Sequence, residues 1–261
     1  MKLIKATKAA LGLCGIHPEK AVQTLSGIPW YFRDMKEIKR QAGMSQFKFP
    51  LARPFPCLGE RGEQSGGISG HYFAQDLAVA RRIYQLHPVK HVDVGSRIDG
   101  FVTHVACFRE IEIYDIRPLD ADIPNVKFKQ ADLMQLDSSL IESTDSLSCL
   151  HTIEHFGLGR YGDPIDYDGF DKGIRNLARI LKPGGRLHFS VPLGPQRIEF
   201  NAHRVFSADF LKDYLSKLFT IERFSYIDDS SRLHENISLD HGGWKNSFGC
   251  RYGCAIFELI K

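Results

Sequence analysis

The run His91-Val-Asp-Val-Gly-Ser-Arg-Ile-Asp-Gly100 constrains this chain more than any other part of it. A short apolar strand ends there in an acid and a glycine, the way the first strand of a Rossmann-type sheet opens onto a nucleotide site. Glycine lets the chain turn sharply, and the backbone N–H groups beyond the strand tip, with a helix N-terminus behind them, face an anionic ligand. Asp93 and Gly95 stand where such a site needs them, with Ser96 next in line. Arg97 occupies the place of the central glycine of a G-x-G triplet, so the motif is incomplete. Two roles are open to Arg97: binding a ligand carboxylate, or filling the pocket.

The residues that follow strengthen the reading. Glu112-Ile-Tyr-Asp115, about twenty residues on, reads as a second strand ending in an acid. Asp115, with Ile116 beside it, stands where a carboxylate accepts hydrogen bonds from ribose hydroxyls; the alternative is a turn-forming Asp. A third apolar stretch, Val126-Lys-Phe-Lys-Gln-Ala-Asp132-Leu133, ends in another acid, placed either to read an adenine amino group or to cap a helix.

At 261 residues the chain can bury one α/β domain with attached segments. Residues 1–70 read as a basic extension, helical to about Gln41 and then loop-rich around Pro50, Pro54 and Pro56; residues 71–261 read as the α/β domain. A net charge of +3, spread along the chain, makes no case for nucleic acid and suits a small anionic cofactor equally well. Six cysteines, at 14, 57, 107, 149, 250 and 254, form no C-x-x-C pair, which points to reduced thiols and a cytoplasmic location. The opening MKLIKATKAALGLCGI reads as a basic amphipathic helix, not a signal peptide, and leaves peripheral membrane contact open. No run approaches the ~20 apolar residues of a membrane span.

From position 91 onward, apolar strands near 91–94, 111–115, 126–130, 146–151, 186–191, 220–227 and 254–260 alternate with helical patterns over 98–109, 168–182 and 207–218. That alternation argues for a parallel sheet with crossover helices. A helix over 71–84 puts Phe73, Leu77, Ala80 and Tyr84 at helical spacing, to pack beside the first strand, with His71, Tyr72 and Gln75 reaching the mouth of the site. Phe170, Ile174, Leu177, Ile180 and Leu181 share one face of the helix 168–182, which Pro183-Gly-Gly185 stops. Ser207 is placed to cap the helix 207–218, with Asp209 in its first turn. The long polar interval 228–253 implies a loop that binds something or is disordered.

These features together resemble the class I S-adenosylmethionine-dependent methyltransferases, from about His71 to Lys261. The resemblance rests on Val92-Asp-Val-Gly95, Asp115, Asp132, Leu150-His-Thr-Ile-Glu-His155 and Leu181-Lys-Pro-Gly-Gly-Arg-Leu187. A closer likeness, on GHYFAQDL, DVGSRIDGF and IEHFGLGRYGDPID, is to an uncharacterised bacterial domain family associated with surface-polysaccharide genes. The resemblance implies an α/β, Rossmann-like fold: a mostly parallel seven-stranded sheet with an antiparallel last strand, carrying an N-terminal helical and loop extension. It also implies S-adenosylmethionine as cofactor. Gly95, Ser96 and Arg97 would lie by its methionine part, Asp115 and Ile116 by its ribose, Asp132 and Leu133 by its adenine, and His151 by its sulfonium. The acceptor would be a small molecule, a hydroxyl of a sugar or nucleotide-linked sugar. The competing reading is the same fold reused as a binding or scaffolding subunit. An NAD-dependent oxidoreductase is disfavoured, because G-x-G-x-x-G is absent.

Methyl transfer depends on holding the nucleophile in line, and a base is needed when the acceptor is a hydroxyl. His155 is the candidate general base, an imidazole being poised near neutral pH, with Glu154 to orient it or bind the acceptor; otherwise both cap the following turn. His151-Thr-Ile-Glu-His155 also matches the inverted-zincin pattern H-x-x-E-H, but across a strand end that would separate the two histidines. By resemblance to the E-x-x-E-H segments of some small-RNA and quinone methyltransferases, His151, Glu154, His155 and His203 form a candidate set for a manganese- or zinc-like ion. Arg160, Tyr161, Asp163 and Asp166 in the next loop, with His203 and Arg204, are the candidate acceptor contacts; Arg204 would suit a phosphate.

Overall fold

Strand β1 (His91–Val94) is buried at all four residues, as a central parallel strand covered on both faces must be. It pairs in parallel with β2 (Ile111–Asp115), which carries β3 (Val126–Gln130), and on its other side with β4 (Thr144–Leu150), which carries β5 (Leu181–Leu193). A hairpin of β6 (Arg197–Glu199) and β7 (His203–Val205) lies outside this sheet. Strands β8 (Thr220–Ile227) and β9 (Leu233–His234) continue the chain, and β10 (Gly253–Ile260) inserts antiparallel between β5 and β8. The resulting order, β3-β2-β1-β4-β5-β10-β8-β9, is the Rossmann-like α/β sheet expected, with eight strands in place of seven because β9 folds back onto the edge. The computed structural model describes residues 12, 15, 17–47, 49–51, 53–62 and 66–261, and the chain divides into two units, Met1–Gly67 and Ile68–Lys261.

The first unit contains helix α1 (Pro18–Met44), with proline in its first turn, where the missing N–H costs nothing. The chain returns along this helix. A Cβ on Gly27 would lie 2.5 Å from the Leu58 carbonyl oxygen, and the Arg61 guanidinium sits 3.7 Å over the Trp30 ring. The amphipathic segment expected at residues 1–16 falls almost wholly outside the described residues.

In the second unit, apolar residues alternate between the two faces of the sheet and meet helices there. Val92, Val94, Tyr114 and Leu147 join Ile174, Leu177 and Ile180 of helix α4 (Gly169–Ile180) in one cluster. Ile111 and Ile113 join Val79, Ala80 and Ile83 of helix α2 (Tyr72–Leu86) in the other. Helix α3 (Thr103–Ala106) adds Val105 to the second cluster, and helix α5 (Ala208–Leu215) adds Leu211 and Leu215 to the first.

Four local expectations are corrected. Helix α2 buries Gln75, Asp76, Val79, Ala80 and Ile83, while Phe73, Leu77 and Tyr84 are exposed. Two overlapping stripes satisfy helical spacing, and the one with buried polar groups wins because those groups are paired: the Gln75 Oε1 accepts from Ser190 Oγ, and its amide donates to Asp76. The segment 98–109 is an irregular turn over Ile98–Val102, kinked at Gly100, and only then the short α3. Helix α4 ends at Ile180, before the Pro-Gly-Gly segment, which forms the bulged start of β5. Ser207 sits at the N-cap of α5, but its hydroxyl donates to Gln196 and the Ala208 N–H is met by Ser247 Oγ.

The interval 228–253 packs onto the sheet through its middle, while residues at both its ends line the main cavity. Trp244 packs 4.3 Å from Phe224 and Phe248 lies 4.6 Å from Tyr226, ring centre to ring centre, closing the large cluster from outside.

Gly95, at φ +71°, turns the chain out of β1, and a Cβ there would lie 2.4 Å from Thr152 Cγ2. Gly95→Ala should therefore lose about 1–3 kcal/mol in urea unfolding, from the left-handed backbone and the overlap. Adding Thr152→Ser, which removes the struck methyl, should restore part of that loss; no recovery would show the backbone strain acting alone.

Candidate functional site

The C-terminal ends of β1 to β4 surround a cavity of about 840 Å³, within the usual range for small-molecule and cofactor sites. Val94, Gly95 and Arg97 line it after β1, Asp115 to Arg117 after β2, Ala131 to Met134 after β3, and Leu150 to Phe156 in large part after β4. Arg160, Tyr161, Asp163 and His203 form part of the wall, with Asp228, Asp229, Ser231 and Tyr252. Gly95, Arg97, Asp115, Ile116, Asp132, Leu133, His151, Glu154 and His155 are thus brought to one cavity.

The tip of β1 is set by Asp93, which does not itself line the cavity. Its fully buried carboxylate accepts from the Ser96 N–H at 2.9 Å, from Ser96 Oγ at 2.8 Å and from Ser148 Oγ on β4. Burial raises its pKa to about 6, outweighing those hydrogen bonds. Ser96 faces a smaller neighbouring cavity. Both are positioning residues for the turn, not contacts of the main cavity.

Arg97 neither fills the pocket nor is buried: its guanidinium pairs with Asp99 at 2.6 Å and the side chain is 67% exposed. Asp115 Oδ1 accepts from the Arg117 backbone N–H at 2.8 Å, and its two oxygens meet the Arg117 guanidinium at 3.0 and 2.6 Å. Asp132 Oδ1 accepts from the Met134 N–H at 2.9 Å. Each acid therefore fixes its own turn and also borders the cavity. Arg117 was not singled out from the sequence; its position two residues after Asp115 is the turn spacing that could have flagged it. It also lies 4.6 Å over the Tyr161 ring.

After β4 the chain enters a strained segment, with His151 at φ +50°. His151 Nδ1 lies 2.8 Å from Glu154 Oε1, which also lies 3.8 Å from His155 Nε2. Burial alone would depress the His151 pKa, but charge interactions with Cys254 and Glu154 outweigh it and hold the ring up at about 10. His71 stacks on that ring at 5.1 Å and is pushed down to about 4, first by burial and then by the charge on His151. His155 is lowered by burial, against the opposing charge of Glu154. Its Nδ1 is 2.6 Å from the Ala202 carbonyl; a carbonyl only accepts, so Nδ1 carries the proton and Nε2 presents a lone pair. Glu154 and His155 do not cap the next turn with their side chains.

The candidate metal set is not assembled. His155 and His203 are 6.5 Å apart between ring centres, and the one group of ligand atoms close enough to share an ion among the described residues is His71, His151 and Cys254. Cys254 belongs to β10, and nothing in its local sequence marks it.

Two candidate acceptor contacts are corrected. Arg204 is buried, and its guanidinium donates to the Phe156, Asp166 and Tyr167 carbonyls, clamping the loop. Asp166 pairs with Lys172 and does not reach the cavity wall. Asp163 is on the wall, with its carboxylate accepting from the Gly157, Gly159 and Tyr161 N–H groups. His71 and Tyr72 reach the mouth as expected, whereas Gln75 is buried beneath it.

Among solved structures, one at a TM-score of 0.50 shares this fold. The chain resembles the cyclase SpnF at a TM-score of 0.50 and 16% identity, over 76% of this chain and 85% of that one. It is similar to the N-methyltransferase NodS from Bradyrhizobium japonicum in complex with S-adenosyl-l-homocysteine, at a TM-score of 0.47 and 14% identity, over 73% and 87%. A third is the Burkholderia thailandensis 1,6-didemethyltoxoflavin-N1-methyltransferase, at 0.47 and 15%, over 72% and 78%. Residues 122–238 match a family described as Caenorhabditis protein of unknown function, DUF268, a description that names neither bacteria nor polysaccharide genes. No curated protein matches the chain. No helix among the described residues is long and apolar enough to cross a membrane.

The Asp93 pKa gives a stability prediction with a definite sign. An acid ionising at about 6 when folded and about 3.9 when unfolded binds more protons in the folded state between those values, so its contribution falls as pH rises from 4 to 6. The stability of the native chain relative to Asp93→Asn should drop by about 2 kcal/mol between pH 4 and pH 6, read from urea unfolding at each pH. An unchanging difference would mean that the serines fully offset burial.

Proposed function

We propose that this chain is an S-adenosylmethionine-dependent methyltransferase acting on a small-molecule acceptor, with a hydroxyl of a sugar or glycan intermediate as the acceptor class. The observation that carries this reading is the convergence of Gly95, Asp115, Asp132 and His155 on one cavity at the strand tips. The residues present fit the cofactor. Gly95 lines the cavity at the tip of β1, and Asp115 Oδ2, which accepts one bond from Arg117 where Oδ1 accepts two, retains a lone pair for a hydroxyl. Gly95 would border the methionine part, Asp115 and Ile116 the ribose, Asp132 and Leu133 the adenine. Bound S-adenosylmethionine supplies an electrophilic methyl group.

The chain's own residues supply position and a base. His155, neutral and with Nε2 unprotonated, takes the acceptor's hydroxyl proton at that atom. Tyr161 and Arg160 offer an aromatic face and a hydrogen-bonding cation, the side chains that grip polyhydroxylated molecules. The N-terminal unit, residues 1–70 in this reading, is an appendage to the methyltransferase domain at 71–261.

A second reading, the same fold reused without methyl transfer, draws on the Arg117 fork that already occupies Asp115. Calorimetry with S-adenosylhomocysteine separates the two. The native chain should bind it, and Asp115→Ala should weaken binding at least tenfold, about 1.4 kcal/mol; no heat at millimolar ligand favours the second reading. His155→Gln should leave that affinity within about twofold, while lowering radiolabelled methyl transfer to a panel of sugars and nucleotide-sugars by roughly 10²–10⁴. Equal transfer would remove His155 as base.

A further inference from the structure

We propose that His71, His151 and Cys254 form a binding site for one zinc-type divalent ion, with a coordination position open to the main cavity. The three come from segments far apart in the chain: the residue before α2, the first residue after β4, and the second residue of β10. One ligand atom from each lies within 4.8 Å of the others. A tetrahedral zinc ion, with bonds of about 2.0–2.1 Å to nitrogen and 2.3 Å to sulfur, brings its ligands to roughly 3.3–3.8 Å apart, so side-chain adjustments on the order of an ångström close the site.

The environment of His151 is what points to an ion. Its Nε2 is buried, and among the described residues no hydrogen bond of ordinary geometry reaches it; the Cys254 sulfur is the group it faces. Its Nδ1 is held at 2.8 Å by Glu154 Oε1. A carboxylate behind a histidine, fixing the ring and leaving the other nitrogen to face a cation, is the usual support of a histidine ligand.

Cys254 is fully buried and only weakly held, with its sulfur 3.5 Å from Gln75 Oε1 and 3.6 Å from the Ala255 carbonyl. His71 has the one competing partner, the Tyr252 carbonyl at 3.2 Å. Two imidazoles and a thiol are ligands for zinc, not for magnesium or calcium, which take oxygen. His71 and His151 line the cavity while Cys254 lies behind them, so the remaining position faces the cavity and takes water or an oxygen of a bound molecule. This site differs from the His151, Glu154, His155 and His203 set expected from the sequence, and it does not depend on the methyl-transfer reading. As the ion enters, the one proton that His151 Nε2 and the Cys254 sulfur hold between them leaves to solvent.

The test uses the full chain, stripped with a chelator and dialysed against zinc. Native protein should take up one zinc per chain, and His71→Gln and Cys254→Ser should each bind at least tenfold more weakly. His71 is partly exposed, so its replacement leaves the core intact. Cobalt should give native protein a thiolate-to-metal absorption band that Cys254→Ser abolishes and Cys57→Ser, at an exposed cysteine, retains. Native chain binding no more zinc than the His71→Gln/Cys254→Ser double variant overturns the proposal, as does a cobalt complex without the Cys254-dependent band. Glu154→Gln should weaken zinc binding about 10–100-fold.

Discussion

The buried Asp93 carboxylate is the constraint on which the site depends. A charged group removed from water is tolerated only with partners, and its partners tie three elements together: Ser96 in the turn, Ser148 on β4, and through Ser148 the His91 ring at 3.1 Å. This network holds the turn at Gly95 against Thr152, where β1 and β4 open away from each other. Because β2 and β4 both register on β1, the same anchor positions Asp115 on one side and the His151 segment on the other. Three serine donors are fewer than a fully buried carboxylate needs, which is why its pKa stays raised.

The positions of the strands were legible in the sequence: β1 is a continuous buried run, while β2 and β3 alternate apolar with polar residues, and all three begin and end where the pattern does. The buried face of α2 was not legible. Gln75 and Asp76 turn inward because Ser190, 115 residues away on β5, supplies a hydrogen bond, and no local pattern carries that information. Arg204 misled for a related reason. A guanidinium beside a glycine-rich loop looks like an anion site, but here the loop's own carbonyls consume its donors. The pairing of His71 and Cys254 with His151 likewise exists only through the sheet order that inserts β10 next to β5.

The segment after β4 departs from the economy of the rest of the fold. His151 takes a left-handed backbone without being glycine, as eight other described residues do, and among the described residues two of the five buried side-chain atoms without a hydrogen-bond partner are His151 Nε2 and Glu154 Oε2. Well-packed proteins leave few such atoms, and strain and unmet polarity concentrate where a ligand completes the structure. The loop beyond is rigid by contrast, closed by Asp163 and Arg204 around Gly157, whose Cβ would overlap the Asp166 carbonyl.

Fold alone does not choose the reaction, since a cyclase shares it at a TM-score of 0.50. The choice turns on whether Arg117 excludes a ribose from Asp115. The Arg117 side chain is 47% exposed and the Asp115 side chain 12%, so the pair is open to water on the guanidinium side only. Arg117 already donates three hydrogen bonds to this carboxylate, which leaves one lone pair, so one ribose hydroxyl could share it and a second would have to displace the guanidinium, each bond contributing about 0.5–1.5 kcal/mol. The Tyr161 face 4.6 Å from the guanidinium gives it somewhere to remain. The Asp115–Arg117 pair is thus the point on which a cofactor and this chain's own turn compete for one carboxylate.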